Sequence, residues 1–388
     1  MMKPLYLEFK SAGTDAPVKI TTFSSYSFER SVITPASAFR FTAPDVDKAR
    51  RMSIRSGDLV TIISEDANNV KTPICTGIVD ETDYHGSGTV GEYVISGRDM
   101  VGQLVDNDSV DAQNKIVNYN DPVAIDFIVE SVIKNTRIPG AYINKQVPTG
   151  TFLFNTSPTE TKLTTLMRYL DMANCLVWND GFGRLVIGKP NFTSSNPSQG
   201  KLIASYSDPK KNNLLEFRVR RNTNSAIRQI VTQLQHQEQV DPTPFTIQNS
   251  DKDVRARSRY GVGRSLYRVF SYGQGADASN KLSAVGNGKG DPKSLGEAFT
   301  LREIARENMK VLEVECAVAD HLNDNGGIYD VDQIYDVQIE DEDISEPMYV
   351  YSVAYDMTIQ HGLMTRLKLC RLGTICAAAA ISPTVGQP

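Results

Sequence analysis

Glu92 to Asp108 reads EYVISGRDMVGQLVDND. Its first half alternates as a strand does, with Tyr93 and Ile95 on one face and Val94 and Ser96 on the other. Gly97 interrupts the pattern. Asp99 then stands where an N-cap stands, ahead of a short helical turn carrying Met100, Val101, Leu104 and Val105. Everything upstream reads as β-sheet, and the first long helical patterns lie downstream. The stretch marks the exit from one domain and the start of another.

Residues 1–100 carry short alternating runs. They lie at Leu5 to Phe9, Val18 to Phe23, Tyr26 to Arg30, Phe39 to Thr42, Leu59 to Ile63, Ile74 to Val79 and Glu92 to Ser96. Turn residues separate them, among them Ser56-Gly57-Asp58 and the pair Gly86 and Gly88. Many short strands at this spacing predict a sandwich or barrel.

Residues 101–200 change character. Asp121-Pro122 offers a helix start, and Ile125, Ile128, Val129 and Val132 follow at helical spacing. A second start is Ser157-Pro158-Thr159-Glu160, a serine with glutamate three residues on, ahead of Leu163, Leu166, Met167 and Leu170. Cys175 to Trp178, the turn Asn179 to Gly183, and Arg184 to Ile187 read as a hairpin. This predicts a small α/β domain.

Strand signals return over residues 201–375, at Leu215 to Arg221 and Ala226 to Leu234. A glycine-rich loop at about 272–293 precedes a helix at about 294–310, which carries Ala298, Leu301 and Ala305. Leu312 to Val318, Tyr335 to Ile339, Met348 to Thr358 and Thr365 to Leu372 follow as strands. Residues 376–388 read as a tail. The predicted fold class is β-rich α+β, with β-units at both ends and a small α/β domain between them.

Composition narrows the function classes. Of 388 residues, 40% are hydrophobic and 22% charged, and the net charge of −5 argues against holding a nucleic-acid backbone. The five cysteines, Cys75, Cys175, Cys316, Cys370 and Cys376, are scattered, which predicts free thiols in a reducing compartment and no zinc site. MMKPLYLEFK lacks the apolar core of a signal peptide, and no run approaches the ~20 apolar residues of a membrane helix. The expectation is a protein made in the cytoplasm without a membrane anchor.

No enzyme motif stands out. GxSxG, HExxH and the P-loop are absent from the sequence. His85, His236, His321 and His361 are isolated and read as surface or turn residues. Glu340-Asp-Glu-Asp343 lacks the ligand spacing of a calcium loop and reads as a solvated turn. Arg255, Arg257, Arg259, Arg264 and Arg268 read as a solvated loop or subunit contact, and Arg218, Arg220 and Arg221 as the exposed face of a strand. The expected catalytic, metal and cofactor sites are none.

The order of these features resembles the baseplate hub proteins of contractile phage tails: the Mu-type hub and, more distantly, the T4-type hub and the hub portion of type VI secretion spike proteins. Three places carry the resemblance. One is the strand ending in Gly97-Arg98-Asp99 with Leu104-Val105-Asp106, after the strands RSGDLVTII and TGIVDE. The second is the helix from Ser157 with the hairpin WNDGFGRLVIGKP. The third is EPMYVYSVAYDMTIQHGLMTRLKL, with a Gly-x-x-Thr turn at Gly362 and Thr365. The loop at 272–293 and the acidic turn at 340–343 depart from the pattern.

The resemblance implies two tube-like antiparallel β-barrels per chain, residues 1–100 and 201–375, assembled as a homotrimer around a channel. The trimer would then present six barrels to a six-fold tail tube protein and three-fold symmetry to a central spike protein. Tape measure and wedge proteins are further implied partners, with DNA only in transit. The implied location is the virion, after assembly in the host cytoplasm. The residues named above as carrying the motif are architectural. An alternative is a carbohydrate- or receptor-binding tail protein, which needs an exposed aromatic platform; the single tryptophan, Trp178, sits by the hairpin turn. A tail-associated cell-wall hydrolase is a third reading.

Overall fold

The computed structural model describes residues 5–10, 17–44, 46–65, 70–87, 90–109, 121–143, 151–152, 154–156, 160–173, 175–188, 197–222, 227–236, 239–240, 244–248, 264–272 and 292–372. The loop expected at 272–293, the Arg255 to Arg259 run, Ser157 to Thr159, and the tail from 376 fall almost wholly outside them.

The first β-unit contains β1 (Leu5–Lys10), β2 (Val18–Ile20), β3 (Ser25–Ser31), β4 (Ala38–Pro44), β5 (Leu59–Glu65), β6 (Lys71–Ser87) and β7 (Val90–Asp99), with helix α1 (Lys48–Ser53) between β4 and β5. Alternation sets the faces. In β5, Val60, Ile62 and Ser64 are buried while their neighbours are half-exposed. In β7 the buried positions are Gly91, Tyr93, Ile95, Gly97 and Asp99. The strand therefore continues through Gly97 to Asp99, where the sequence pattern predicted a break.

The middle region follows. It contains α2 (Gly102–Asp106), β8 (Val123–Ala124), α3 (Ile125–Ile133), β9 (Ala141–Ile143), β10 (Thr151–Phe152), α4 (Lys162–Met172), β11 (Leu176–Asn179) and β12 (Leu185–Gly188). Met100, Val101 and Leu104 pack with Ile128, Val129, Leu166, Leu170, Leu185 and Ile187 in a core of their own. Asp121 does not cap α3. Residues 123–124 pair as a strand with Thr151–Phe152, so the helix starts only at Ile125. Helix α4 is capped by Thr161, whose Oγ1 accepts the Thr164 N–H at 3.2 Å.

The last region contains β13 (Lys201–Ala204), β14 (Leu214–Arg221), β15 (Ile227–His236), β16 (Gln239–Val240), β17 (Phe245–Gln248), β18 (Arg264–Tyr272), α5 (Pro292–Met309), β19 (Leu312–Ala319), β20 (Gln333–Ile339), β21 (Ile344–Thr358) and β22 (Gly362–Arg371). Strands β15 to β18 form a small sheet against α5, with Ile227, Ile230 and Ile304 between them.

The two end units share their backbone ladder. Among the described residues, one thirteen-stranded sheet runs β14-β19-β22-β21-β3-β4-β7-β6-β5-β1-β2, with β20 on β21 and β13 on β20. The seam is β3 against β21, in register from Ser31 opposite Ser352 to Ser25 opposite Thr358. The sheet is antiparallel except for β13 beside β20. One hydrophobic core follows it from Leu7 and Phe9 to Leu367 and Leu369. Where sequence reading divides residues 1–100 from 201–375 as two barrels, hydrogen bonds run through both.

Candidate functional site: a buried polar junction

Arg30, in β3, is 1% exposed and sits where all three regions meet. Its Nη1 donates to both Asp330 carboxylate oxygens, at 2.6 and 2.7 Å. Its Nε donates to Asn179 Oδ1 of β11 at 3.1 Å, and its Nη2 donates to the Ile74 carbonyl of β6. Burial pulls the guanidinium pKa down, but the Asp330 carboxylate more than offsets this and leaves it raised. A planar fork that can reach three acceptors at once is what arginine supplies and lysine does not.

A second buried network crosses the same seam. His321, in the loop after β19, is fully buried, with Nε2 against Tyr26 Oη of β3 and Nδ1 2.8 Å from Thr365 Oγ1 of β22. Thr365 Oγ1 donates its own hydrogen to the Asp320 carbonyl at 2.7 Å. It must therefore accept from His321 Nδ1–H, which leaves Nε2 to accept from Tyr26. The neutral tautomer is thus set by partners on both sides, and burial lowers the His321 pKa to about 3. The ring also meets Tyr355 edge-on, at 5.2 Å between centroids. Tyr355 in turn stacks on Phe28 of β3 at 5.9 Å and donates to the Tyr329 carbonyl at 2.6 Å.

The motif residues read from sequence occupy the corner next to this junction. Asp99 is 1% exposed, on the core face of β7. Its Oδ2 accepts the Ser37 N–H at 2.8 Å, and its Oδ1 accepts the Gly102 N–H at 3.2 Å. Burial raises its pKa to about 7, and those two N–H groups and Arg30 oppose the rise. Arg98, on the other face, does not pair with Asp99. It binds Asp80 at 2.7 Å and Asp106 at 2.6 Å, and those bonds raise its pKa. Asp80 occupies the bulge in β6, so Arg98 ties that bulge to the end of α2.

Gly97 is required by crowding. A Cβ there would meet the Ile78 carbonyl oxygen and the Phe39 ring. Leu104 is fully buried, whereas Val105 is 37% exposed and turned away from the apolar side predicted for it. Gly362 has φ +69 and closes the turn before β22, a conformation glycine tolerates. Thr365 lies inside β22, fully buried, and not in that turn.

The acidic turn is a clasp. Glu340 Oε2 accepts from Ser205 Oγ at 2.6 Å, Tyr206 N at 2.8 Å, and Ser207 N and Oγ at 2.9 and 3.0 Å. The Ser205 and Ser207 hydroxyls and these N–H groups hold its pKa down to about 2. Glu342 pairs with Arg221. On the outer face of β14, Arg218 and Arg220 lie 4.0 and 3.8 Å from Glu315 and Glu313 of the neighbouring strand. Those charges pair within the chain.

Sequence reasoning missed Arg30, Asp330, Asn179, Tyr26 and His321 as partners; it read His321 as a surface or turn residue, and the residue lies in a bend between strands but is fully buried. Arg30 carried a weak signal, as a charge at an inward-facing place among Tyr26 and Phe28. Trp178 is 5% exposed and offers no platform. Among the described residues Cys75, Cys175, Cys316 and Cys370 are buried and form no disulfide. Among the described residues no cluster of His, Cys, Asp or Glu could hold a metal ion, and no helix is long and apolar enough to cross a membrane.

Sheet, seam and middle region together define a class: this is the fold of phage tail proteins. The chain is similar to a tail protein from Neisseria meningitidis MC58, with a TM-score of 0.73 at 15% identity over 97% of this chain and 99% of that one. It is also similar to the 43 kDa tail protein of prophage MuSo2 from Shewanella oneidensis, with a TM-score of 0.69 at 16% identity over 95% and 99% of the two chains. A chain of the Francisella PdpA–VgrG complex gives 0.55 at 8% identity, with 96% of this chain matched to 58% of that one. No family model matches the sequence, and no curated protein does.

Proposed function

We propose that this chain is the structural hub of a phage tail baseplate: a homotrimeric symmetry adapter between a six-fold tail tube and a three-fold central spike, surrounding the channel for DNA. The observation that carries the reading is a full-length match in fold to phage tail proteins, covering 97% of this chain and 99% of the Neisseria protein. In this reading each end of the chain, residues 1–100 and 201–375, supplies one tube-like barrel; a thirteen-stranded ladder with strands from both ends supports holding the two close together.

The partners are two further copies, the tail tube protein, the central spike, the tape measure protein and the wedge proteins. The location is the virion, after assembly in the host cytoplasm. The role is architectural and not enzymatic. Gly97, Arg98, Asp99, Leu104 and Asp106 hold the corner between first barrel and middle domain, with Val105 exposed beside them, and Gly362 and Thr365 shape the closing strand. Negative-stain imaging of the purified protein tests the reading: a three-fold ring with a central hole is expected. A stable monomer by light scattering at micromolar concentration overturns it.

A further inference from the structure

Among the described residues, the small sheet ends at β18, a strand of unusual make-up. β15 is interior: β18 runs parallel on one side, with Val231 opposite Tyr267 and Gln233 opposite Val269. β17 lies antiparallel on the other side, with Ile230 opposite Ile247. Ile230, Ile247 and Leu266 face α5, where Ile304 closes the packing. Tyr267 and Val269 therefore point the opposite way, and they are 53% and 49% exposed. Among the described residues β18 pairs with β15 alone, which leaves the outer edge of RSLYRVFSY unladdered.

Long edges are normally guarded by charge, proline or a bulge. β14, the eight-residue edge of the large sheet, has such a guard in Arg218 and Arg220, set against Glu315 and Glu313. β18 carries Tyr267 and Val269 on its exposed face instead. Arg268, on the α5 side and half-exposed, donates to its own strand's Tyr267 carbonyl at 3.2 Å and makes no ion pair among the described residues.

We propose that β18 is a strand-addition site for an extended segment of another protein. Backbone N–H and C=O groups along the edge supply affinity, and alternate side chains supply selectivity. The segment that fits has apolar, β-branched or aromatic residues beside Tyr267 and Val269, and a carboxylate beside Arg268. Such a segment alternates apolar and acidic residues. The proposal stands whether or not the chain is a hub.

The test uses the purified full chain and a synthetic peptide, acetyl-Thr-Val-Glu-Val-Glu-Val-Thr-amide. Hydrogen exchange is expected to slow at the amides of residues 264–272 when peptide is added. A peptide N-methylated at every residue, which has no backbone N–H on either edge and cannot ladder, is expected to leave exchange unchanged. Arg268→Glu, shown folded by circular dichroism, is expected to weaken binding about tenfold and to prefer the same peptide with lysine in place of glutamate. No protection at millimolar peptide, protection equal with the N-methylated peptide, or no change of preference in R268E overturns the proposal.

Discussion

Arg30 and Asp330 lie 300 positions apart in the chain and meet in a two-pronged ion pair, at 2.6 and 2.7 Å. Arg30 belongs to the first unit and Asp330 to the last, so the pair closes across the β3–β21 seam. Removing one member of such a pair leaves the other without its counter-charge.

Arg30→Met is expected to lower unfolding free energy by about 3–5 kcal/mol, because the Asp330, Asn179 and Ile74 acceptors lose their donor. Asp330→Asn should cost at least as much, because it leaves the Arg30 guanidinium, 1% exposed, without its counter-charge and with one acceptor oxygen where there were two. Urea titration checks both. An Arg30→Met chain as stable as the parent would show that the junction is dispensable.

Two buried titrating groups give opposite pH slopes. The Asp99 carboxyl, near Arg30 and Cys75, has its pKa raised from 3.8 to about 7. Its favourable contribution is complete below the unfolded value and is lost as pH rises through about 7. His321, enclosed by Tyr26, Tyr355, Thr365 and the Asp320 backbone, has its pKa lowered from 6.5 to about 3. Its contribution is complete above the unfolded value and is lost as pH falls toward about 3. Each is worth on the order of 4 kcal/mol at its limit.

Between pH about 4 and 6.5 these slopes oppose one another. Asp99→Asn is therefore expected to make stability rise more steeply with pH in that window, and His321→Gln to make it fall. Chemical denaturation at several pH values reads both. Identical profiles for the parent and both variants would mean that neither group is buried as described.

Gly97→Ala is expected to destabilise by about 1–3 kcal/mol, because the added methyl meets the Ile78 carbonyl and the Phe39 ring. Thermal melting checks this. A melting point equal to the parent's would mean that β6 and β7 can part without cost.

Arg98→Lys is expected to change stability by about 1 kcal/mol or less, because Arg98 is 35% exposed and its ion pairs are solvated. A lysine cannot fork to both Asp80 and Asp106, so one pair is lost. If Arg98→Lys costs as much as Arg30→Met in the same titration, the corner and the junction act as one unit.

Much of the corner was legible in the sequence and much of the junction was not. Alternation in Tyr93 and Ile95, and helical spacing in Val101 and Leu104, are local properties that follow from backbone periodicity. The same rule, carried four residues beyond Ile95, places Gly97 and Asp99 on the core face; reading Gly97 as a breaker hid this. Asp121-Pro122 failed as a helix start because a two-residue strand pairing with Thr151–Phe152 claimed the intervening backbone.

By itself the sequence determined most of the long strands and helices, because side-chain period and turn residues act over a few positions. Only the tertiary structure decided that the end units share one ladder, that His321 is buried between Tyr26 and Thr365, and that Arg30 reaches Asp330. Those contacts join residues hundreds of positions apart. Nothing in the neighbourhood of Arg30 or His321 specifies a partner; the register of β3 against β21 does.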